Sequence, residues 1–167
     1  MGGSKVEWDT SINDTVLLVN KLLKICPEVT LHAFGPNTEL LRAIENSCKR
    51  KIIYHKDLDR SALAKLMCDS EFTVATQNSG NFELVPVESL ILGTPVISYK
   101  QPFMEVTGNS LLIADPNSES ELENKVSKWM SGDIVKERVD LQNRIMSITN
   151  PKKVAEEFVQ FATQNSL

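Results

Sequence analysis

The stretch that decides the fold is Gly80-Asn-Phe-Glu-Leu-Val-Pro-Val-Glu-Ser-Leu-Ile-Leu-Gly93, continued by Thr94-Pro-Val-Ile-Ser98. It reads as loop, helix, tight turn and strand. Pro86 suits the first turn of a helix, where its missing N–H has no intrahelical partner to lose. Val85 reads as the N-cap, and Glu88 then falls in the first turn, where a carboxylate meets the positive end of the helix dipole. Val85 carries no hydroxyl, so a reciprocal capping box does not account for Glu88. Its role stays open between an acid that stabilises its own helix and a contact to a ligand. Leu90, Ile91 and Leu92 continue the apolar helical spacing. Gly93 suits a left-handed C′ position, and Pro95-Val-Ile begins a buried strand. A loop feeding a helix start in this way is a ready anion site, because free backbone N–H groups and the dipole both favour phosphate.

On either side the same alternation repeats. Residues 5–8 read as a weak first strand. A helix capped by Asn13 or Asp14 runs to Cys26, with Val16, Leu17, Val19, Leu22, Leu23 and Ile25 facing inward. Residues 29–34 form a strand closed by Gly35-Pro36. Asn37 or Thr38 caps a helix carrying Leu40, Leu41 and Ile44 inward. Residues 52–54 are a strand, 55–59 a polar loop, and Ser61 opens a helix with Leu63, Leu66 and Met67. Residues 71–75 are a strand and 76–84 a polar loop. Beyond 98, an irregular segment leads to a strand over 110–114 and a turn at Asp115-Pro116-Asn117. Ser118 or Ser120 caps a helix to Ser131, with Leu122, Val126 and Trp129 or Met130 inward. Helices over about 133–147 and 151–162 complete the chain. Short apolar strands alternating with helices predict an α/β fold built on a Rossmann-like, doubly wound parallel sheet. Ligands of such sheets bind beyond the carboxyl ends of the strands. The loops to watch are therefore 35–37, 55–59, 76–84 and 99–108.

Composition bounds the function. The 167 residues suffice for one domain with a proper core, taken as residues 5–167 after a Met1-Gly-Gly-Ser start that resembles a cloning scar. Eighteen basic against 22 acidic residues give a net charge of −4, which argues against a general nucleic-acid binder but not against a local phosphate site. Cys26, Cys48 and Cys68 are scattered and form no metal-type pair. They read as reduced thiols in a cytoplasmic setting. No metal ligand set and no membrane-spanning run is legible. Trp8 and Trp129 read as core or interdomain packing.

The stretch from Gly80 to Ile97 resembles the donor-site signature of family 4 glycosyltransferases, which are retaining enzymes of the GT-B fold. That signature places a Glu, seven residues and a second Glu in a pattern like E-G-F-G-L-V-P-L-E-A-M-A-C-G-T-P-V-I. Other segments fall in family order. Leu31-His-Ala-Phe-Gly-Pro36 resembles the strand ending in Gly-x-Gly-Pro. Lys51-Ile-Ile-Tyr-His55 resembles the strand before the base-binding loop. Residues 58–67 resemble the small helix after it, and Gly108-Asn-Ser-Leu-Leu-Ile-Ala-Asp-Pro116 the G-x-x-G-L-L-V-x-P segment. The resemblance covers roughly residues 5–131. It implies the C-terminal, donor-binding half of a two-domain enzyme, with a nucleoside diphosphate sugar as donor substrate and no separate cofactor. The acceptor, and any contact with a membrane, would fall to an N-terminal domain outside this chain. By the same resemblance, Glu88 holds the ribose hydroxyls, for which a carboxylate accepting two hydrogen bonds is apt. Asn81, Phe82, Glu83, Leu84 and Val85 match the loop facing the diphosphate and sugar. Gly35 and Pro36 match the glycine-rich strand end, and His55 and Lys56 sit where the base rests.

The departures are as specific as the matches. Gly80 replaces the first Glu of the pattern. Glu83 replaces a small loop residue, and either stands in for the lost carboxylate as a candidate catalytic group or points to solvent. The Arg and Lys that the family keeps near its first helix are missing from residues 6–14, with Lys5 and Lys21 reading as surface lysines. Three readings follow: a glycosyltransferase donor domain with a divergent site, a degenerate domain kept for scaffolding or subunit pairing, or an unrelated nucleotide-sensing module. An unpartnered final helix, with Val154, Phe158, Val159 and Phe161, would favour self-association.

Overall fold

The computed structural model describes residues 5–34, 38–75, 84–98, 111–148 and 152. Helices and parallel strands alternate along it: α1 (Lys5–Ile25), β1 (His32–Phe34), α2 (Thr38–Cys48), β2 (Ile53–His55), α3 (Arg60–Cys68), β3 (Thr73–Val74), α4 (Leu84–Ile91), β4 (Val96–Ile97), β5 (Ile113–Ala114), α5 (Glu119–Ser131) and α6 (Val135–Ile148). The α/β, Rossmann-like expectation therefore holds. The strands form two ladders rather than one continuous sheet among the described residues: β1 pairs with β2, and β3–β4–β5 form the second. Every pairing is parallel.

The two ladders differ in burial. Val96, Ile97, Leu112, Ile113 and Ala114 lie in a dry core with Leu90, Leu122, Val126, Trp129, Ile134 and Ile145. Continuous apolar runs belong on strands covered on both faces. In the β1–β2 ladder, by contrast, Phe34 and Ile53 are exposed, at 39% and 47%. Trp129 closes the base of the core, its Nε1 donating to the Leu111 carbonyl at 2.9 Å and its ring tilted against Phe72 at 5.9 Å.

Two elements differ from the sequence reading. Residues 5–8 are the first turn of α1, not a strand: the alternation of Val6 and Trp8 with charged residues spans too few positions to override the helix that continues from it. On α1 the inward face is Thr15, Leu18, Val19, Leu22 and Cys26, whereas Leu17 is 61% exposed. The i, i+3, i+4 rows from Leu18 exclude Leu17, which sits 100° around the helix. Asn13 and Asp14 lie within α1 rather than capping it, and other boundaries move by three residues at most. Asp59, not Ser61, opens α3, its Oδ1 accepting from the Ala62 N–H at 2.7 Å. Ser118 caps α5 by position without a side-chain bond. Trp129 is the inward residue of the Trp129–Met130 pair. The expected helix over 151–162 and the irregular segment over 99–108 lie outside the described residues, apart from Lys152, which is helical.

The helix that opened the sequence reading is pinned at three points. Ser89, fully buried, places Oγ 2.8 Å from Thr73 Oγ1 on β3 and 3.1 Å from the Thr94 carbonyl. A hydroxyl has one proton, and a carbonyl only accepts. Ser89 therefore donates to Thr94 and accepts from Thr73. Thr94 Oγ1 donates in turn to the Met67 carbonyl at the end of α3, at 2.8 Å. At the helix C-terminus Gly93 has φ +81°, and Gln142 of α6 donates to the Ile91 carbonyl at 2.9 Å. A Cβ on Gly93 would meet that amide nitrogen at 2.8 Å.

Gly93→Ala combines left-handed strain with displacement of Gln142, and is expected to cost about 2 kcal/mol in urea unfolding. Ser89→Ala strands the Thr73 hydroxyl and the Thr94 carbonyl in the core, and about 1–3 kcal/mol should be lost. Among the thiols Cys26 is buried, Cys48 partly so and Cys68 exposed. Burial pushes the Cys26 thiol above its ordinary value. Folded Cys26 keeps its proton at a pH where the unfolded thiol has lost it. Its contribution to stability is present below the unfolded pKa and is lost as pH rises through the folded one. Alkylation followed by mass spectrometry should therefore modify Cys68 first and Cys26 last, with Cys26 lagging furthest near pH 9.

Candidate functional site

Four of the ten candidate site residues have described side chains. The backbone of Leu84 is described as well. Gly35, Pro36, Asn81, Phe82 and Glu83 lie outside the described residues.

The chain after β3 returns at Leu84 as the first residue of α4. This places Val85 inside the helix rather than at its cap, and Glu88 in the second turn rather than the first. The shift follows from Pro86, which is accepted anywhere in the first turn and so does not fix where that turn starts. The consequence for an anion is small. The N–H groups of Leu84 and Val85 still have no intrahelical acceptor, and Pro86 has none to offer. Val85 is half-buried, Pro86, Val87 and Ser89 are buried, and Glu88 is the exposed member of this run. Ser89 against Thr73 fixes the helix rotation, and with it the outward direction of Glu88.

His55 closes β2 in register with Phe34. Its Nε2 lies 3.0 Å from His32 Nδ1, and the rings stack at 5.3 Å with planes 12° apart. One of these nitrogens donates and the other accepts. Lys56 follows in an exposed bend. His32 was not legible as a functional residue. Register alone makes it a neighbour of His55: residues two apart in register on adjacent strands share a face. His55 and Lys56 belong to the β1–β2 ladder, while Val85 and Glu88 follow β3 in the other, so the structure brings the candidates together in two separate groups.

A cleft of about 590 Å³ lies between the ladders, lined by residues 28–32, Phe34, Leu66, Met67, residues 69–74 and Met130; none of His55, Lys56, Val85 and Glu88 lines it. Among the described residues no cluster of three or more His, Cys, Asp or Glu side chains could hold a metal ion. Nor is any described helix long and apolar enough to cross a membrane.

No curated protein matches the chain. The family described as glycosyl transferases group 1 matches it over residues 12–146. That span takes in the larger part of α1, both ladders, α4 and nearly all of α6. It is most of the chain, and with the parallel α/β architecture just described it assigns the protein to the group 1 glycosyltransferases.

Proposed function

We propose that this chain is the donor-binding, C-terminal domain of a GT-B, family 4-type retaining glycosyltransferase, and that it holds a nucleoside diphosphate sugar. The observation that carries the reading is the seating of α4. Its unpaired N–H groups follow β3, its rotation is locked by the Ser89–Thr73 contact, and Glu88 is left exposed one turn on. In this reading the amides of residues 81–85 face the diphosphate and the Glu88 carboxylate accepts from both ribose hydroxyls. Gly35 and Pro36 border the donor. The base rests by His55 and Lys56, against the free face of the His32–His55 stack. During transfer the bond from the sugar carbon to the diphosphate oxygen breaks, and one to an acceptor oxygen forms. Fixed N–H dipoles then stabilise the leaving diphosphate. Glu83 stands in for the carboxylate lost at Gly80. The acceptor is held by a domain outside this chain, and the reaction is placed in the cytoplasm.

A second reading has its own support. Gly80 takes the place of the first signature Glu, and residues 6–14 carry neither Arg nor Lys. These departures favour a degenerate domain retained for scaffolding or subunit pairing.

Titrating the chain with UDP, GDP and their sugars by NMR separates the two. The donor reading expects saturable shifts at the amides of Leu84 and Val85. Silence at millimolar ligand would leave the scaffold reading. Glu88→Ala should weaken nucleotide binding about tenfold, or 1.4 kcal/mol. Its melting temperature should stay near wild type, because an exposed side chain contributes within about 0.5 kcal/mol. Equal loss of fold and binding would return Glu88 to a structural role.

A further inference from the structure

The acidic excess of this chain is not spread evenly. Every strand pairing is parallel. Within each ladder the segments that follow the strands therefore lie at one end, where ligands of such sheets bind. Taken through the fifth residue of the next helix, and with the stretch between β4 and β5, these segments are residues 35–42, 56–64, 75–88, 98–112 and 115–123. Their sequence carries four basic residues against ten acidic ones, which leaves 14 basic against 12 acidic in the rest of the chain. The acidic excess thus belongs to the carboxyl ends of the strands, and the remainder of the chain is slightly basic.

Two of these carboxylates are tied to the backbone. Asp59 accepts from the Ala62 N–H at 2.7 Å, and Asp115 from the Asn117 N–H at 2.8 Å. Asp57, Glu88 and Glu119 are exposed. Glu121 is neutralised by Lys125 at 2.7 Å, and setting it aside still leaves nine acidic residues against four basic ones. Against them stands the α4 N-terminus, worth about half an elementary charge.

A nucleoside is neutral and does not feel this field, whereas each phosphate added to it brings negative charge into the field. In a phosphate site lined by lysine or arginine, one charge-assisted contact strengthens binding about tenfold or more, and salt weakens it again. Here the α4 amides orient the phosphates while the surrounding carboxylates oppose them.

We infer that this chain selects its ligand by the nucleoside, that the diphosphate adds little to its affinity, and that the counter-charge for the diphosphate comes from outside the chain. The inference rests on the donor reading above and divides the work within that site. Glu88 and the end of β2 at His55 supply the affinity, and the α4 terminus supplies the direction.

NMR titration of the whole chain with uridine, UMP and UDP, and with guanosine, GMP and GDP, tests it at about 20 and about 200 mM NaCl. In a series that binds, each phosphate should change the affinity by less than about threefold. The diphosphate should bind no more weakly at the higher salt. Asp57→Asn combined with Glu119→Gln removes two exposed charges that make no hydrogen bond among the described residues. This double variant should tighten the diphosphate about twofold at low salt and leave the nucleoside unchanged. A gain of more than about threefold per phosphate, or diphosphate binding that weakens with salt, would overturn the inference and leave the donor reading standing. So would a double variant that binds the diphosphate as the parent does. If neither series binds at millimolar concentration, the donor reading falls and this inference with it.

Discussion

A buried hydroxyl chain holds the two ends of this architecture in one frame. Thr73 on β3, Ser89 on α4 and Thr94 in the turn before β4 pass a hydrogen bond from the strand, through the helix, to the next strand, and Thr94 returns it to the end of α3. All three side chains are nearly or wholly removed from water. A lone hydroxyl in such a place is costly, but here each finds a partner with the correct donor or acceptor sense. An apolar contact would let α4 rotate or slide, because dispersion has no preferred direction. Directional bonds do not. The exposed position of Glu88 is a consequence of that fixed rotation.

The alternation of apolar strands and amphipathic helices was legible because it is written in composition over many residues. So were the buried strand at Val96–Ile97 and the left-handed Gly93, because each depends on one residue type at one place. What escaped reading depends on partners distant in sequence. Ser89 and Thr94 look like ordinary polar punctuation until Thr73 and Met67 are brought beside them. His32 acquires a role only through the register that sets it against His55. α2 ends at Lys49 with φ +52°, where a Gly would have announced the turn. Arg50 then reaches back to the Val29 carbonyl, a tie between two segments that no local pattern joins. The strand expected over residues 5–8 failed for the opposite reason, a short local pattern read without the helix that follows it.

The structure divides into a dry half and a thin half. β3, β4 and β5 themselves carry no exposed large apolar side chain, whereas β1 and β2 keep Phe34 and Ile53 in water. Apolar burial at about 25 cal/mol per Å² makes the first half the source of most of the stability. A phosphate site gains from sitting there, since N–H donors aimed in advance need no reorganisation when charge arrives. In the donor reading the base would meet the thinner half.

Electrostatics sharpen the argument about the departures from the family pattern. A diphosphate needs positive charge, and the cations whose contacts are known are already engaged in the fold. Lys125 donates to the Ile113 carbonyl and pairs with Glu121 at 2.7 Å, both side chains largely buried. Arg50 is spent on Val29. Lys21 on α1 is half-buried. The α4 terminus adds a fixed positive feature after β3, worth about half an elementary charge. Half a charge can orient a diphosphate, but it cannot neutralise one. In the donor reading the remaining charge must therefore come from an exposed lysine such as Lys56 or from the domain that carries the acceptor. Closure of two domains around the donor would then be an electrostatic requirement as well as a geometric one.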